Sequence, residues 1–288
     1  MRAQLGVERA VHMTWRGVVA ALDEGEAFRS RVSLYLHPLA GRPMLWHVVS
    51  SLLGASTPPS EVLVLHRAEF TGRPPDLPAQ VRFKAVKRGD ERRAMRAAIT
   101  APGSTVLVDG SAALLTSPAI DSLLQMARSE LAALFSREEE AVAVAVAGEG
   151  PAVASSQDPF RPAAAVRVPL DDPYEVLCVT DRHALATAGE VIRDRLVRWH
   201  EARGVSFLLP STTLVEVDVR IGADTVIYPN VALEGATVIG SECVIGPYSR
   251  VVESTVGRGS ELTGWNYVLR TQVRNHAVLE AYARRGTE

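Results

Sequence analysis

Residues 20–45 read AALDEGEAFRSRVSLYLHPLAGRPML. The second half of this stretch looks like part of a phosphate-handling site. The first half puts acid and bulk, with Asp23, Glu24 and Glu26, where such a site needs glycine and cation. A side chain at a glycine position blocks close approach of backbone to phosphate. Acid beside a polyanion is costly as well: at ~4 Å and an effective dielectric of ~20, each like-charge pair costs on the order of 4 kcal/mol.

Other residues capable of chemistry are scattered. Cys178 and Cys243 fall in different segments without metal-ligand spacing and are expected to be buried thiols in a reducing compartment. His47 lies on an amphipathic helical stretch, and SREEE from Ser136 reads as a solvated helix end. WNY (265–267) and His276 are suggestive, but they read as a loop and a cap residue.

Short apolar runs alternate with helical stretches over the first ~180 residues, the pattern of an α/β sheet with crossover helices. GVVAAL (17–22), EVLVLH (61–66), VRFKAV (81–86), TVLVDG (105–110), AVAVAVA (141–147) and EVLCV (175–179) are predicted strands. RPMLWHVVSSLL opens a helix with proline near its start. SPAIDSLLQMARSELAALF offers serine as N-cap of another. RPPDLP and GPAVASSQDPFRPAA read as loops. A helix from about Asp181 to Arg203 leads away from this domain.

The period then changes to six. Aliphatic residues stand at Val215, Ile221, Ile227, Leu233, Ile239, Ile245 and Val251, with Thr225, Val231, Thr237, Cys243 and Ser249 four positions after their aliphatics. This is a hexapeptide repeat, the mark of a β-helix; in the left-handed form three hexads make one triangular coil. The register slips to five between Val251 and Val256 and between Val268 and Val273, which predicts a bulged corner or protruding loop. About four coils fit, and the tail from Arg274 reads as a last coil or a short capping helix, its composition slightly favouring helix. The expected organisation is an α/β domain over 1–180, a linking helix over 181–204 and a β-helix over 205–288.

The 288 residues carry a formal net charge of −2, with 47% hydrophobic and 22% charged residues. That balance argues against nucleic-acid or anionic-membrane binding. With no signal-peptide core and no apolar run of ~18 residues, a cytoplasmic protein is expected.

The order of parts resembles the bifunctional N-acetylglucosamine-1-phosphate uridylyltransferase/glucosamine-1-phosphate acetyltransferase family. LHPLAGRPMLWHVV resembles the segment after that family's nucleotide signature, and DGSAALLT its G-D-x-P-L-L-T. PYEVLCVTDRHALATA resembles its V-N-D-R segment, and VDVRIGADTVIYPNVALEGATVIGSECVIGPYSRV its opening coils. The resemblance implies an α/β nucleotidyltransferase-type, Rossmann-like domain followed by a short left-handed parallel β-helix. It also implies chemistry that joins a sugar 1-phosphate to UTP with Mg²⁺ held by carboxylates and phosphate oxygens, within a UDP-N-acetylglucosamine pathway.

The residues that should perform that chemistry are replaced. The signature L-A-A-G-x-G-T-R-M falls on Ala20 to Phe28: its first glycine becomes Asp23, its arginine Ala27, and the lysine before L-H-P becomes Leu34. The metal-binding positions hold Ser111 and Thr180, and hydroxyls are poor substitutes for carboxylate at Mg²⁺. Asp109 and Asp181 stand nearby, but Asp181 adjoins Thr180, and adjacent residues of an extended chain face opposite ways. RGDERRAMRAA replaces the uracil-reading loop, and His37 sits in the L-H-P turn as a structural residue. What remains is a vestigial nucleotide pocket of Ala20, Ala21, Gly25, Gly110 and Asp181, with no catalytic residue, no metal ligand and no expected cofactor. The acetyltransferase site of the family lies many coils further along.

The expectation is therefore a non-catalytic paralogue acting as a structural, regulatory or companion subunit. It would be a homotrimer through the β-helix, with an active uridylyltransferase paralogue as candidate partner. The alternative is a surviving Mg²⁺-dependent nucleotidyltransferase using Asp109, Asp181, Arg29, Arg31 and Arg42. A further alternative is a hexapeptide-repeat acyltransferase.

Overall fold

The computed structural model describes residues 14–67, 77–100, 103–127, 131–136, 140–146, 158–162 and 165–286. Most of the two proline-rich loops, residues 137–139 of SREEE and residues 1–13 lie outside them. The elements run β1 (Trp15–Ala21), β2 (Pro38–Leu39), β3 (Arg42–Pro43), α1 (Met44–Leu53), β4 (Val62–Arg67), β5 (Val81–Val86), α2 (Glu91–Ile99), β6 (Ser104–Asp109), α3 (Ser117–Met126), β7 (Ala132–Phe135), β8 (Ala141–Val146), β9 (Val166–Arg167) and α4 (Arg182–Glu201), followed by the short strands of the hexads. The chain divides into two compact units, residues 1–37 with 44–182 and residues 38–43 with 183–288.

The first unit is built on a seven-stranded sheet ordered β5-β4-β1-β6-β8-β7-β9. The first four strands are parallel, β8 runs antiparallel to β6, and β7 antiparallel to β8. Strands covered on both faces must be apolar throughout: Val18, Val19, Val106, Leu107 and Val108 are wholly buried. Thr116, rather than the expected serine, caps α3, accepting from the Ala119 amide; Ser117 instead donates to Ser51 O.

Three sequence expectations are corrected in this unit. The helix predicted over 117–135 stops at Met126, and Ala132–Phe135 is a strand. A short apolar run of alanine and leucine suits a buried strand as well as a helix, and pairing with β8 decides between them. Consequently Ser136 and Glu140 flank a strand connection, not a helix end, with Ser136 N bonded to Glu140 O. The strand predicted over EVLCV is a 3₁₀ turn at Pro173–Val176, capped by Asp172, which accepts from Tyr174 N.

The second unit is a left-handed parallel β-helix. Two of its sheets hold five strands and the third holds four, so the prism runs beyond the expected four coils. Val278–Leu279 and Arg284–Arg285 pair in parallel with the strands before them, so the described tail continues the coil and forms no helix. Every aliphatic of the repeat, from Val215 to Leu279, is buried in one continuous core, each worth about 1.5–3 kcal/mol relative to exposure. The small residues serve the corners: Thr225 Oγ1 donates to Gly240 O and accepts from Cys243 N.

Partners lie 18 residues apart in the early coils (Leu233↔Val251) and 17 apart later (Val251↔Val268). The two slips are thus shortened corners stacked on one another, with no protruding loop. Glu253 and Arg270 mark them, both in the left-handed region and joined by an ion pair of 2.7 Å. At Gly246 an added Cβ would lie 2.4 Å from Leu262 O, so only glycine fits between rungs. The β2–β3 hairpin belongs to this unit: Val217 N donates to Ala40 O, and Arg42 Nε to Asp218 Oδ2 at 2.6 Å.

Candidate functional site

Strand order reverses on either side of β1, and crevices beyond the carboxyl ends of parallel strands at such points are where α/β sheets place ligands. The ends concerned are Ala21 of β1 and Asp109 of β6. Past β1, Asp23 turns its carboxylate back on the chain, with Oδ1 accepting from Gly25 N at 2.7 Å, a side-chain turn typical of aspartate. Its own amide donates to the Tyr35 hydroxyl at 2.9 Å. Gly25 then adopts φ 67° and Arg29 φ 47°. Asp23 therefore shapes the loop locally, in a position where a glycine would have left backbone amides open.

Past β6, Gly110 N donates to Ala20 O at 3.0 Å. A Cβ on Gly110 would lie 2.9 Å from Tyr35 Cε1 and 3.0 Å from Ala20 O, so the strand ends can meet only through glycine. Ser111 follows, buried, and both its amide (2.8 Å) and its hydroxyl (2.6 Å) donate to Asp109 Oδ1.

Between these ends opens a cleft of about 620 Å³ whose acidic lining is Asp23, Glu91, Asp109, Glu140 and Asp158. Arg161 also lines it and is paired with Glu140. Burial pushes the Asp109 carboxyl above the usual range, against the pull of the two Ser111 bonds, and Asp23 and Glu140 add to the rise. Burial likewise raises Tyr35 well above an ordinary phenol, and Asp109 adds to it. Such a lining repels a triphosphate and accepts hydrogen bonds from neutral or cationic groups.

Sharing Asp23 with this cleft is a second one of about 360 Å³, lined by Arg31, Arg67, Lys87 and Arg88 as well as Asp23 and Glu24. Arg67, at the end of β4, is held by Leu22 O (2.9 Å) and by Glu91. Glu24 lies 3.6 Å from Arg67 and 3.3 Å from Arg88. Two hydrogen bonds from backbone amides, its own and that of Gly89, and the Arg67 guanidinium hold the Glu91 carboxyl below its ordinary value.

The pocket residues read from sequence are divided. Ala20 lines the acidic cleft and Ala21 the basic one, while Gly25, Gly110 and Asp181 are not among the residues lining either; Ser111 and Thr180, at the replaced metal positions, also line the acidic cleft. Arg29 is exposed beside the loop, and Arg42 is bound to Asp218 in the second unit. Leu34, at the lysine position, is buried core, and Ala27 faces a shallow outer depression. The His37 ring packs 4.8 Å from Phe28, and burial and then Arg182 lower its pKa. Cys243 is buried as expected, but Cys178 is half-buried and lines the acidic cleft.

Among the described residues no three His, Cys, Asp or Glu side chains converge as metal ligands. At the metal positions that the resemblance implies stand Ser111, whose amide and hydroxyl both donate to Asp109 Oδ1, and Thr180, which offers a hydroxyl in place of a carboxylate. Tyr35 and Arg67 escaped sequence reading. Arg67's place, a cation closing an apolar strand, was the available signal.

In the second unit, Trp265 stacks between Tyr248 at 5.2 Å and Tyr282 at 5.5 Å. Asn266 is buried; its Oδ1 accepts from Gly264 N and its Nδ2 donates to Glu280 O. WNY is thus a corner of the coil rather than a loop, and His276 takes another corner at φ 56°.

A family model for the bacterial transferase hexapeptide (six repeats) matches residues 218–252. The bifunctional protein GlmU of Geobacillus sp. (strain WCH70) is 44% identical over 88 residues, 31% of this chain and 19% of the relative. That of Enterococcus faecalis (strain ATCC 700802 / V583) is 25% identical over an alignment covering 83% of this chain and 65% of the relative. The chain thus spans less than two thirds of the curated relatives it matches. Among solved structures, an rv0371c homologue from Mycobacterium sp. strain JC1 superposes on 62% of this chain and 98% of its own, with TM-score 0.48 and 15% identity. A nucleotidyl transferase from Methanothermobacter superposes on 65% of this chain and 99% of its own, with TM-score 0.42 and 16% identity. In its sequence relationships, with hexapeptide repeats after an α/β domain, the chain is similar to the bifunctional GlmU proteins.

Proposed function

We propose that this protein is a non-catalytic relative of the sugar-1-phosphate uridylyltransferases, serving as a structural, regulatory or companion subunit. The observation that carries the reading is the Ser111–Asp109 pair. The residue at the metal position donates two hydrogen bonds to the nearest carboxylate oxygen, and the cleft around it is acidic. Asp23 supports the same reading, because its carboxylate bonds Gly25 N where the family keeps a glycine. The β-helix would assemble the protein as a trimer.

The experiment is a thermal-shift titration with UTP, with and without Mg²⁺, beside an assay for pyrophosphate release from UTP and N-acetylglucosamine 1-phosphate. A specific ligand at 100-fold excess over Kd stabilises by about 2.7 kcal/mol. No Mg²⁺-dependent shift and no pyrophosphate, from a protein that is trimeric by light scattering, is the expected result. Turnover would favour the altered-site transferase, whose one supporting observation is that Asp23 and Asp109 face the same cleft.

A further inference from the structure

We infer that the basic cleft is a metal-independent binding site for phosphorylated small molecules, in which the Glu24 carboxylate occupies the place of a phosphate. Four cationic side chains converge on it against two carboxylates. One of those carboxylates, Asp23, is turned to the Gly25 amide. Only Glu24 is directed at the cations, between the guanidinium groups of Arg67 and Arg88. Guanidinium pairs around an oxyanion are the arrangement that recognises carboxylate and phosphate alike.

Arg67 is the preorganised member, since its side chain is only 16% exposed and is fixed by Leu22 O and Glu91. Arg31 and Lys87 are exposed, and neither takes part in an ion pair among the described residues. Ser33, also in the lining, caps no helix with its hydroxyl. A fixed arginine, two unpaired cations and a hydroxyl face one concave space. A carboxylate fills the centre with one negative charge where a phosphate or diphosphate brings more.

None of these cations stands where the GlmU resemblance places its own, since those positions hold Ala27 and Leu34. The cleft adjoins the acidic one, and Asp23 lines both. The inference needs neither turnover nor its absence. The cations line a pocket, and the chain as a whole carries −2, which favours a small anion over a nucleic-acid strand.

The test is calorimetric titration of inorganic pyrophosphate into the full chain in EDTA at low salt. Wild-type protein should bind saturably. Glu24→Gln should tighten binding about tenfold, since it removes the competing charge-assisted contacts, and Lys87→Ala with Arg88→Ala should weaken it about tenfold or more. Both replaced cations are exposed, and circular dichroism checks that the variants stay folded. UDP distinguishes the sources: tighter binding than pyrophosphate identifies a nucleotide, and equal binding a free polyphosphate. Silence from both wild type and Glu24→Gln, a requirement for Mg²⁺, or indifference to the double variant would overturn the inference. Single-stranded oligonucleotide binding that ignores Glu24→Gln and exceeds pyrophosphate binding would overturn it as well.

Discussion

The Ser111 hydroxyl donates to Asp109 Oδ1 at 2.6 Å while the Ser111 amide donates to the same oxygen at 2.8 Å. These two bonds oppose the desolvation of the carboxylate, and desolvation still prevails, so Asp109 titrates above its ordinary value. Hydrogen bonds to a charged group are worth about 1.5–3 kcal/mol, and Ser111→Ala should therefore destabilise the first unit by about 1–3 kcal/mol in urea unfolding at neutral pH. The sign of the pH dependence follows from the raised pKa. Between the unfolded and folded values the native state holds more protons, so Asp109 lowers stability as pH rises through that window. In Asp109→Asn this contribution to the slope disappears, which comparison of urea midpoints at pH 4 and pH 7 measures.

His200 should confer the opposite dependence on the second unit. The ring is buried, both nitrogens lack partners, and Trp199 and Phe207 pack against it. Burial first, then Arg220 and Arg203, lower its pKa to about 4. The unfolded chain, near 6.5, binds the proton more readily, so the stability His200 contributes is present above about pH 6.5 and is lost as pH falls toward 4. The loss between pH 7.5 and pH 5 amounts to about 2 kcal/mol. His200→Leu, which cannot protonate, should flatten this limb of the urea-midpoint profile, and an unchanged limb would assign it to other groups.

The Tyr248–Trp265–Tyr282 ladder is exposed, with 54%, 47% and 71% of each residue accessible, so simple burial explains little of its stability. Its two stacked pairs, with rings 14° and 21° from parallel, are each worth about 0.5–1.5 kcal/mol beyond area burial. Trp265→Ala should accordingly cost about 1–3 kcal/mol in urea unfolding. Trp265→Phe should retain most of that, and a urea midpoint restored by phenylalanine but not by alanine assigns the stability to the stacked rings.

Much of the fold was legible because its periods are strong. The hexad aliphatics from Val215 to Val251 proclaim the prism, and β1, β4, β5, β6 and β8 lie within two residues of their predicted runs. Ala132–Phe135 was missed because helix formers fill a strand whose pairing is set by β8, a long-range contact that no local window contains. The coil slips misled because one shortened hexad looks like an insertion until its neighbour below is seen to shorten too. At the site, the replaced positions were visible as residue types. The turning of Asp23 onto Gly25, the fixing of Arg67 by Leu22 O and the cation pairing of Glu24 depend on loop geometry beyond sequence spacing.

Restoring the two most conspicuous lost residues should not restore chemistry. Asp23→Gly deletes the acceptor of the Gly25 amide, so the loop loses its turn as it regains its glycine. Ser111→Asp sets a second carboxylate beside Asp109 in a buried place, where like charge and desolvation both act against ionisation. Cations at the positions of Ala27 and Leu34 would still be missing, and Leu34 is buried core, so a lysine there would have to leave it. The double variant is therefore expected to melt below the parent protein and to release no pyrophosphate above background from UTP, Mg²⁺ and N-acetylglucosamine 1-phosphate. Release that scales with enzyme concentration would mean that the cradle needs only its glycine and its metal carboxylate, and that the cations of the neighbouring cleft can serve the triphosphate.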